Sequence, residues 1–199
     1  MRRWNPLPSV PLNSCFPCGE GYNQAVNMRV EREREIYRGR VFRLVEKDLR
    51  LPNGRRTRFS IIEHPGAVAV VPVFDNGDVM LIRQFRPSLG REIYEIPAGT
   101  LEEGEKPLQT ARREIVEETG YRARRWSRLG EFYTAPGFCN EVLHVFAARG
   151  LEPARAEGDA DEMIRPARVP FRRAVEMIRK GIIRDAKSIA GLLLYDGRR

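Results

Sequence analysis

The chain has 199 residues, a formal net charge of +8 at pH 7 and a hydrophobic fraction of 42%. That length suits one domain with extensions, and no run of eighteen apolar residues exists to span a bilayer as a helix. Three cysteines and only two histidines, His64 and His144, argue against a disulfide framework and against a Cys/His zinc site. The arginines behind the charge are spread along the whole chain. Such a surface attracts polyanions without selecting among them. No aromatic-and-basic groove motif accompanies it, so a nucleic-acid partner is not expected.

Residues 1–27 are rich in Pro, Asn, Ser and Gly, with no apolar periodicity, and read as a disordered extension. Arg2-Arg3 and Leu12-Asn13-Ser14-Cys15 resemble fragments of export and lipoprotein signals, but lack the apolar segment such signals need. Cys15-Phe16-Pro17-Cys18 has half-site spacing for redox or metal chemistry and reads as incidental in that setting. Met28 opens the organised sequence and is an expected alternative start.

From Glu35 the pattern turns to strands, and residues 28–64 read as an N-terminal β region. Val41 to Leu51 and Arg56 to Glu63 flank Pro52-Asn53-Gly54, a hairpin signal. Ala67 to Phe74 and Val79 to Phe85 flank Asp75-Asn76-Gly77-Asp78, a stronger one. Ala67 to Val73 is almost wholly apolar, as expected of a strand covered on both faces. Glu92 to Ile96 is a short strand that feeds a Gly- and Pro-punctuated loop. A helix follows from Pro107, suited to a first turn, to Thr119, with Gly120 placed for a left-handed cap. Trp126 to Phe132 and Val142 to Ala147 read as strands, Phe171 to Lys180 and Lys187 to Tyr195 as helices. Strands, one central helix, then strands and closing helices predict an α/β sandwich with a mixed sheet, residues 65–199.

The helix carries the chemistry. Leu108, Ala111 and Ile115 make its apolar stripe. Glu114 and Glu118 stack on another face, with Glu117 beside them and Arg113 spaced to pair with Glu117. Carboxylates crowded in this way repel one another unless a cation sits among them. A hard divalent cation such as magnesium takes oxygen ligands and usually a substrate phosphate as well. The residues therefore point to a magnesium-dependent enzyme acting on a phosphate or diphosphate.

Gly99, Glu105 and the run Arg113-Glu114-Ile115-Val116-Glu117-Glu118-Thr119-Gly120 have the spacing of the Nudix box, and the chain resembles the Nudix hydrolases. Tyr121 stands where an aliphatic residue is usual, at a position that packs rather than reacts. The resemblance implies an α/β/α sandwich. It implies metal ligands at Glu114, Glu118 and the Ala98 carbonyl, and magnesium as cofactor with manganese as a substitute. Glu117 is expected to pair with Arg113 or stand in an outer shell. Glu105 is expected to steady the loop or reach a metal through water.

Outside the box, Arg83-Gln84-Phe85-Arg86-Pro87, Glu95-Ile96-Pro97-Ala98-Gly99 and Thr134-Ala135-Pro136-Gly137-Phe138-Cys139-Asn140-Glu141 resemble the ADP-ribose pyrophosphatases. Ala135, Cys139 and Asn140 depart from that pattern. The likeness spans about residues 35–195. Arg86 offers a planar fork suited to phosphate or to an ion pair. Gly137 permits close backbone approach. Phe138 is placed to stack on a sugar or base or to pack in the core, and Glu141 to bind metal or ribose. By the same resemblance a glutamate from a late loop activates the water. Glu162 matches, with Asp161 or Asp159 as alternatives if the register slips. The expected activity is hydrolysis of ADP-ribose to AMP and ribose 5-phosphate, with another nucleoside diphosphate sugar, or a non-catalytic ligand sensor, as alternatives. A cytoplasmic homodimer is implied, its N-terminal strands helping to form the partner's substrate site.

Overall fold

The computed structural model describes residues 28–155 and 164–198, and two sheets follow one another along the chain. β1 (Arg29–Arg38), β2 (Arg43–Arg50) and β3 (Arg56–Glu63) form an antiparallel sheet in that order. The predicted turn at Pro52-Asn53-Gly54 joins β2 to β3, with Gly54 at φ 79°, a conformation open to a residue without Cβ. This sheet is held by cross-strand charge. Arg34 pairs with Glu46, Arg50 with Glu31, Arg58 with Asp48, and Lys47 with both Glu33 and Glu63. Opposite charges facing one another across strands support the pairing, and Val45 of β2 is fully buried.

β4 (Ala67–Val73), β5 (Asp78–Arg86), β6 (Arg91–Glu95), β7 (Ala98–Thr100), β8 (Tyr121–Tyr133), β9 (Val142–Pro153) and β10 (Ile164–Pro170) build the second sheet. Its main path runs β10-β5-β4-β9-β8, with β6 on β5 and β7 on β4. β4 and β9 are parallel, and the other pairs are antiparallel. The sheet is therefore mixed. α1 (Pro107–Thr119) packs on one face, while α2 (Phe171–Arg179) and α3 (Ala186–Asp196) cover the other.

β4 explains why both faces need cover. Every residue from Ala67 to Val73 is buried. Ala67, Ala69, Val71 and Val73 join Phe171, Ala174, Met177 and Leu192 in the α2–α3 core. Val68 and Val70 join Ala111 and Ile115 in the α1 core, with Leu108 packed against them. Side chains alternate across a strand, so one apolar run serves two cores. Full burial of Ile115 contributes about 2–3 kcal/mol. The stripe predicted on α1 is the one that packs, which turns Glu114 and Glu118 toward the strand ends rather than the core.

α1 starts and stops where its end signals place it. Pro107 opens the helix, the Gln109 side chain accepts from the Lys106 N–H at 2.9 Å, and Gly120 closes it at φ 71°. Other elements differ in extent from expectation. β8 begins at Tyr121 rather than Trp126, and β9 runs on to Pro153 rather than Ala147. The added stretches are polar segments that pair with each other, from Tyr121↔Pro153 inward. β1 begins at Arg29 and is exposed along its whole length. Residues 1–27, with Cys15 and Cys18, lie outside the described residues. Among the described residues no helix is long and apolar enough to cross a membrane.

Candidate active site

The last turns of α1 face the segment that links β6 to β7. Glu118 is 5% exposed, and its Oε2 accepts from the Ala98 N–H at 2.9 Å. Glu114 lies against Gly99 so closely that a Cβ at Gly99 would overlap its carboxylate. The two predicted metal-binding carboxylates thus converge on one short stretch of backbone, Ala98–Gly99. That backbone is held in turn by β4, where Ala69 pairs with Ala98 and Val68 with Gly99, and where the Val70 N–H donates to the Pro97 carbonyl.

Arg113 sits inside the acidic cluster. Its Nη1 donates to Glu114 at 2.7 Å and to Glu117 at 2.9 Å, and its Nε and Nη2 face Glu105 at 3.3 and 3.2 Å. Burial disfavours the charged guanidinium, but these three carboxylates outweigh it and raise the Arg113 pKa. The hydrogen bond from Arg113 in turn lowers the pKa of Glu105 despite a desolvation cost. The expected Arg113–Glu117 pair is present, and Glu105 steadies the loop through Arg113.

Ala98, Gly99, Arg113, Glu114, Glu117 and Glu118 line a cleft of about 1450 Å³ that also takes in Arg86, Gln84, Arg38 at the end of β1 and Arg40 of the turn after it. Arg86 grips Glu95 with two parallel hydrogen bonds, Nε to Oε1 at 2.9 Å and Nη2 to Oε2. Of the two roles expected for Arg86, the ion pair is the one formed, and the side chain also lines the cleft. The Glu95 hydrogen bond raises the Arg86 pKa against desolvation. Burial pushes the Glu95 pKa up, but Arg86 and Lys187 together bring it below the usual carboxylate range.

The other predicted residues lie apart from this group. Gly137, Phe138 and Glu141 belong to the β8–β9 connection, and none of them lines the cleft. Phe138 is 56% exposed, so it is not core packing. Its carbonyl accepts from the Ile62 N–H at 2.7 Å, tying the loop to the N-terminal sheet. A Cβ at Gly137 would meet open space. Glu141 accepts from Thr134 Oγ at 2.6 Å and lies beside His64. Glu162, Asp159 and Asp161 lie outside the described residues. They belong to the segment just before β10, whose first residue, Ile164, lines the cleft and pairs with Gln84. Arg38 and Arg40 were not legible as site residues, because both come from a segment whose sequence shows only ordinary surface charge. Gln84 could have been found from its spacing to Arg86, since alternate residues of a strand share a face.

Among the described residues, no three carboxylate, imidazole or thiol groups converge as a ready cation cage. The donor set nevertheless fits a hard cation of the magnesium type. Such an ion is held by one or two carboxylates, with water and substrate phosphate supplying the rest. Glu114, Glu118 and a nearby backbone carbonyl meet that need, and the closeness of Glu114 to Gly99 keeps a side chain out of the space.

Comparison with known proteins agrees with this geometry. The NUDIX domain family model matches residues 63–192. An ADP-ribose pyrophosphatase of Bacillus subtilis (strain 168) is 43% identical over 156 residues, covering 77% of this chain and 84% of that protein. A methanol dehydrogenase activator of Bacillus methanolicus is 40% identical over 157 residues, covering 78% and 85%. The crystal structure of an ADP compounds hydrolase superposes with a TM-score of 0.76 at 24% identity, covering 85% of this chain and 92% of that one. At that identity the last likeness shows the fold.

Proposed function

We propose that this chain, which belongs to the NUDIX family and is a diphosphate hydrolase, cleaves ADP-ribose to AMP and ribose 5-phosphate with magnesium. The observation that carries the reading is the convergence of Glu114 and Glu118 on Ala98–Gly99 in a cleft that Arg86 also faces. Support for the substrate comes from the ADP-ribose pyrophosphatase named above and from the sequence features shared with that subfamily. The substrate class is the nucleoside diphosphate sugars, and ADP-ribose is the member we propose.

In this reading Glu114, Glu118 and the Ala98 carbonyl hold the magnesium, which when bound offsets phosphate charge and lowers the pKa of water. Glu118 is oriented by the Ala98 N–H. Arg113 draws Glu105 and Glu117 together and keeps their repulsion from displacing Glu114. Arg86 presents N–H groups beyond its Glu95 pair to a diphosphate oxygen. Glu162 takes the proton of the attacking water. Gly137, Phe138 and Glu141 then serve the sugar or base end, from a loop that the N-terminal sheet braces. We assign residues 28–64 to dimerisation and the enzyme to the cytoplasm. The homodimer brings a partner's strands, with their exposed β1, toward the cleft.

Two measurements test this reading. Full-length protein and a version starting at Met28 are assayed with magnesium against a panel of nucleoside diphosphate sugars, with product analysis in oxygen-labelled water. ADP-ribose is expected to be cleaved fastest, giving AMP and ribose 5-phosphate; a preference for another sugar nucleotide would move the substrate within the class. Glu162→Gln is expected to lower kcat about 10²-fold with an unchanged melting temperature. Near-normal turnover in that variant would reassign the base to Glu118 or Glu141.

A further inference from the structure

Behind Arg86 lies a charge cluster around one buried carboxylate, whose other members the chemistry above does not use. Glu95, at the end of β6, is 2% exposed. Its Oε2 accepts from Arg86 Nη2 and also from Lys187 Nζ of α3, the latter at 2.7 Å. Lys187 Nζ donates as well to Asp185 Oδ1 at 3.0 Å. The same turn of α3 grips the next residue of the β6–β7 link, where Ser188 Oγ accepts from the Ile96 N–H at 2.8 Å. Of the four charged groups, only Arg86 lines the cleft.

The arrangement has an electrostatic consequence. A buried carboxylate with one cation partner depends on that partner alone to offset its charge. Glu95 instead lies between two cations and shares one oxygen between them. Asp185, on the far side of Lys187, completes the balance, so the buried set carries two charges of each sign. Arg86 is thereby fixed in orientation by its two hydrogen bonds without being wholly neutralised toward the cleft. Three of its five N–H groups remain beyond the Glu95 pair.

We infer that Lys187 is a positioning residue: by sharing Glu95 with Arg86, it sets the guanidinium to receive a diphosphate oxygen of the substrate. This rests on the reading of Arg86 as a phosphate ligand given above. It reaches the reaction through two intervening side chains, from a helix that contributes nothing to the cleft lining.

The test compares Lys187→Met, Lys187→Gln and Lys187→Arg in the full-length, magnesium-loaded enzyme. The substrate is whichever sugar nucleotide the wild type cleaves fastest. Lys187→Met is expected to raise KM about tenfold while kcat changes less than about threefold, the pattern of lost binding common to ground and transition states. Lys187→Gln keeps a hydrogen-bond donor but not the charge, and guards against a Met variant that does not fold. Its KM is expected to rise about fivefold, whereas a purely structural role predicts wild-type KM. Lys187→Arg is expected to restore KM to within about twofold. A wild-type KM in Lys187→Gln, or a KM defect that Lys187→Arg leaves unrepaired, overturns the inference. A wild type that cleaves no member of the panel overturns the proposed function itself, and this inference with it.

Discussion

Glu118→Gln is expected to lower kcat about 10³-fold, because it removes a full charge from the point where the phosphate charge is to be neutralised. The isostere is chosen for a structural reason. Glu118 is nearly buried, and its Oε2 accepts from the Ala98 N–H. A glutamine oxygen accepts that bond as well, so the Ala98 segment keeps its anchor. Only the charge and one acceptor are lost. The change in stability is accordingly small, about 1 kcal/mol or less, which for a chain of this size moves the melting temperature by about 2–4 °C. Glu118→Ala would confuse the two effects, since it also frees the Ala98 N–H and opens a cavity. The measurement is kcat with ADP-ribose and magnesium beside a thermal melt of the same sample. Retention of more than about a tenth of the wild-type kcat would remove Glu118 from the metal set and weaken the mechanism at its centre.

How much of this was legible before the fold was known varied by element, for physical reasons. α1 could be read to the residue because its signals are local: Pro107 at the start, Gly120 at the end, and a stripe of Leu108, Ala111 and Ile115 that has one partner face. β4 could be read because seven apolar residues in succession fit only a strand with two covered faces. β1 left a weaker trace. Its ten residues include alternating Glu and Arg, and what holds them is charge on β2, a non-local fact that periodicity does not encode. The site divided in the same way. Glu114 and Glu118 are neighbours on one helix, so their meeting follows from helix geometry. Ala98 and Gly99 meet them through the Ala98 N–H to Glu118 bond and the Glu114–Gly99 contact. The resemblance implies Ala98 as a ligand, but the β4–β7 pairing that holds this backbone falls in a stretch that reads as loop. Arg38 and Arg40 reach the cleft, and Lys187 the Glu95 pair behind it, from opposite ends of the chain. Nothing local distinguishes them from the many other arginines and lysines, and only the three-dimensional arrangement singles them out.

Gly99→Ala offers the sharpest separation of fold from function, because the added atom meets only a side chain. The three atoms nearest an ideal Cβ at Gly99 all belong to the Glu114 carboxylate, which it would overlap. Gly99 is not among the glycines with positive φ, so alanine suffers no conformational strain there. The obstacle is the far end of a flexible glutamate, which relieves the overlap by changing rotamer at a cost of about 1 kcal/mol. Folding is therefore expected to survive. Activity is not, since the rotamer change moves the Glu114 carboxylate off Gly99 and disturbs the 2.7 Å hydrogen bond by which Arg113 holds it. A fall in kcat of about 10³-fold is expected, matching loss of the charge itself. The magnesium dependence distinguishes this from simple damage: displacement of one ligand shifts the activation curve to higher magnesium about 10- to 100-fold, as weakened ligand placement does. Wild-type kcat and an unshifted activation curve in a folded Gly99→Ala protein would show that Glu114 has no need of the space Gly99 leaves, and would remove it from the proposed ligand set.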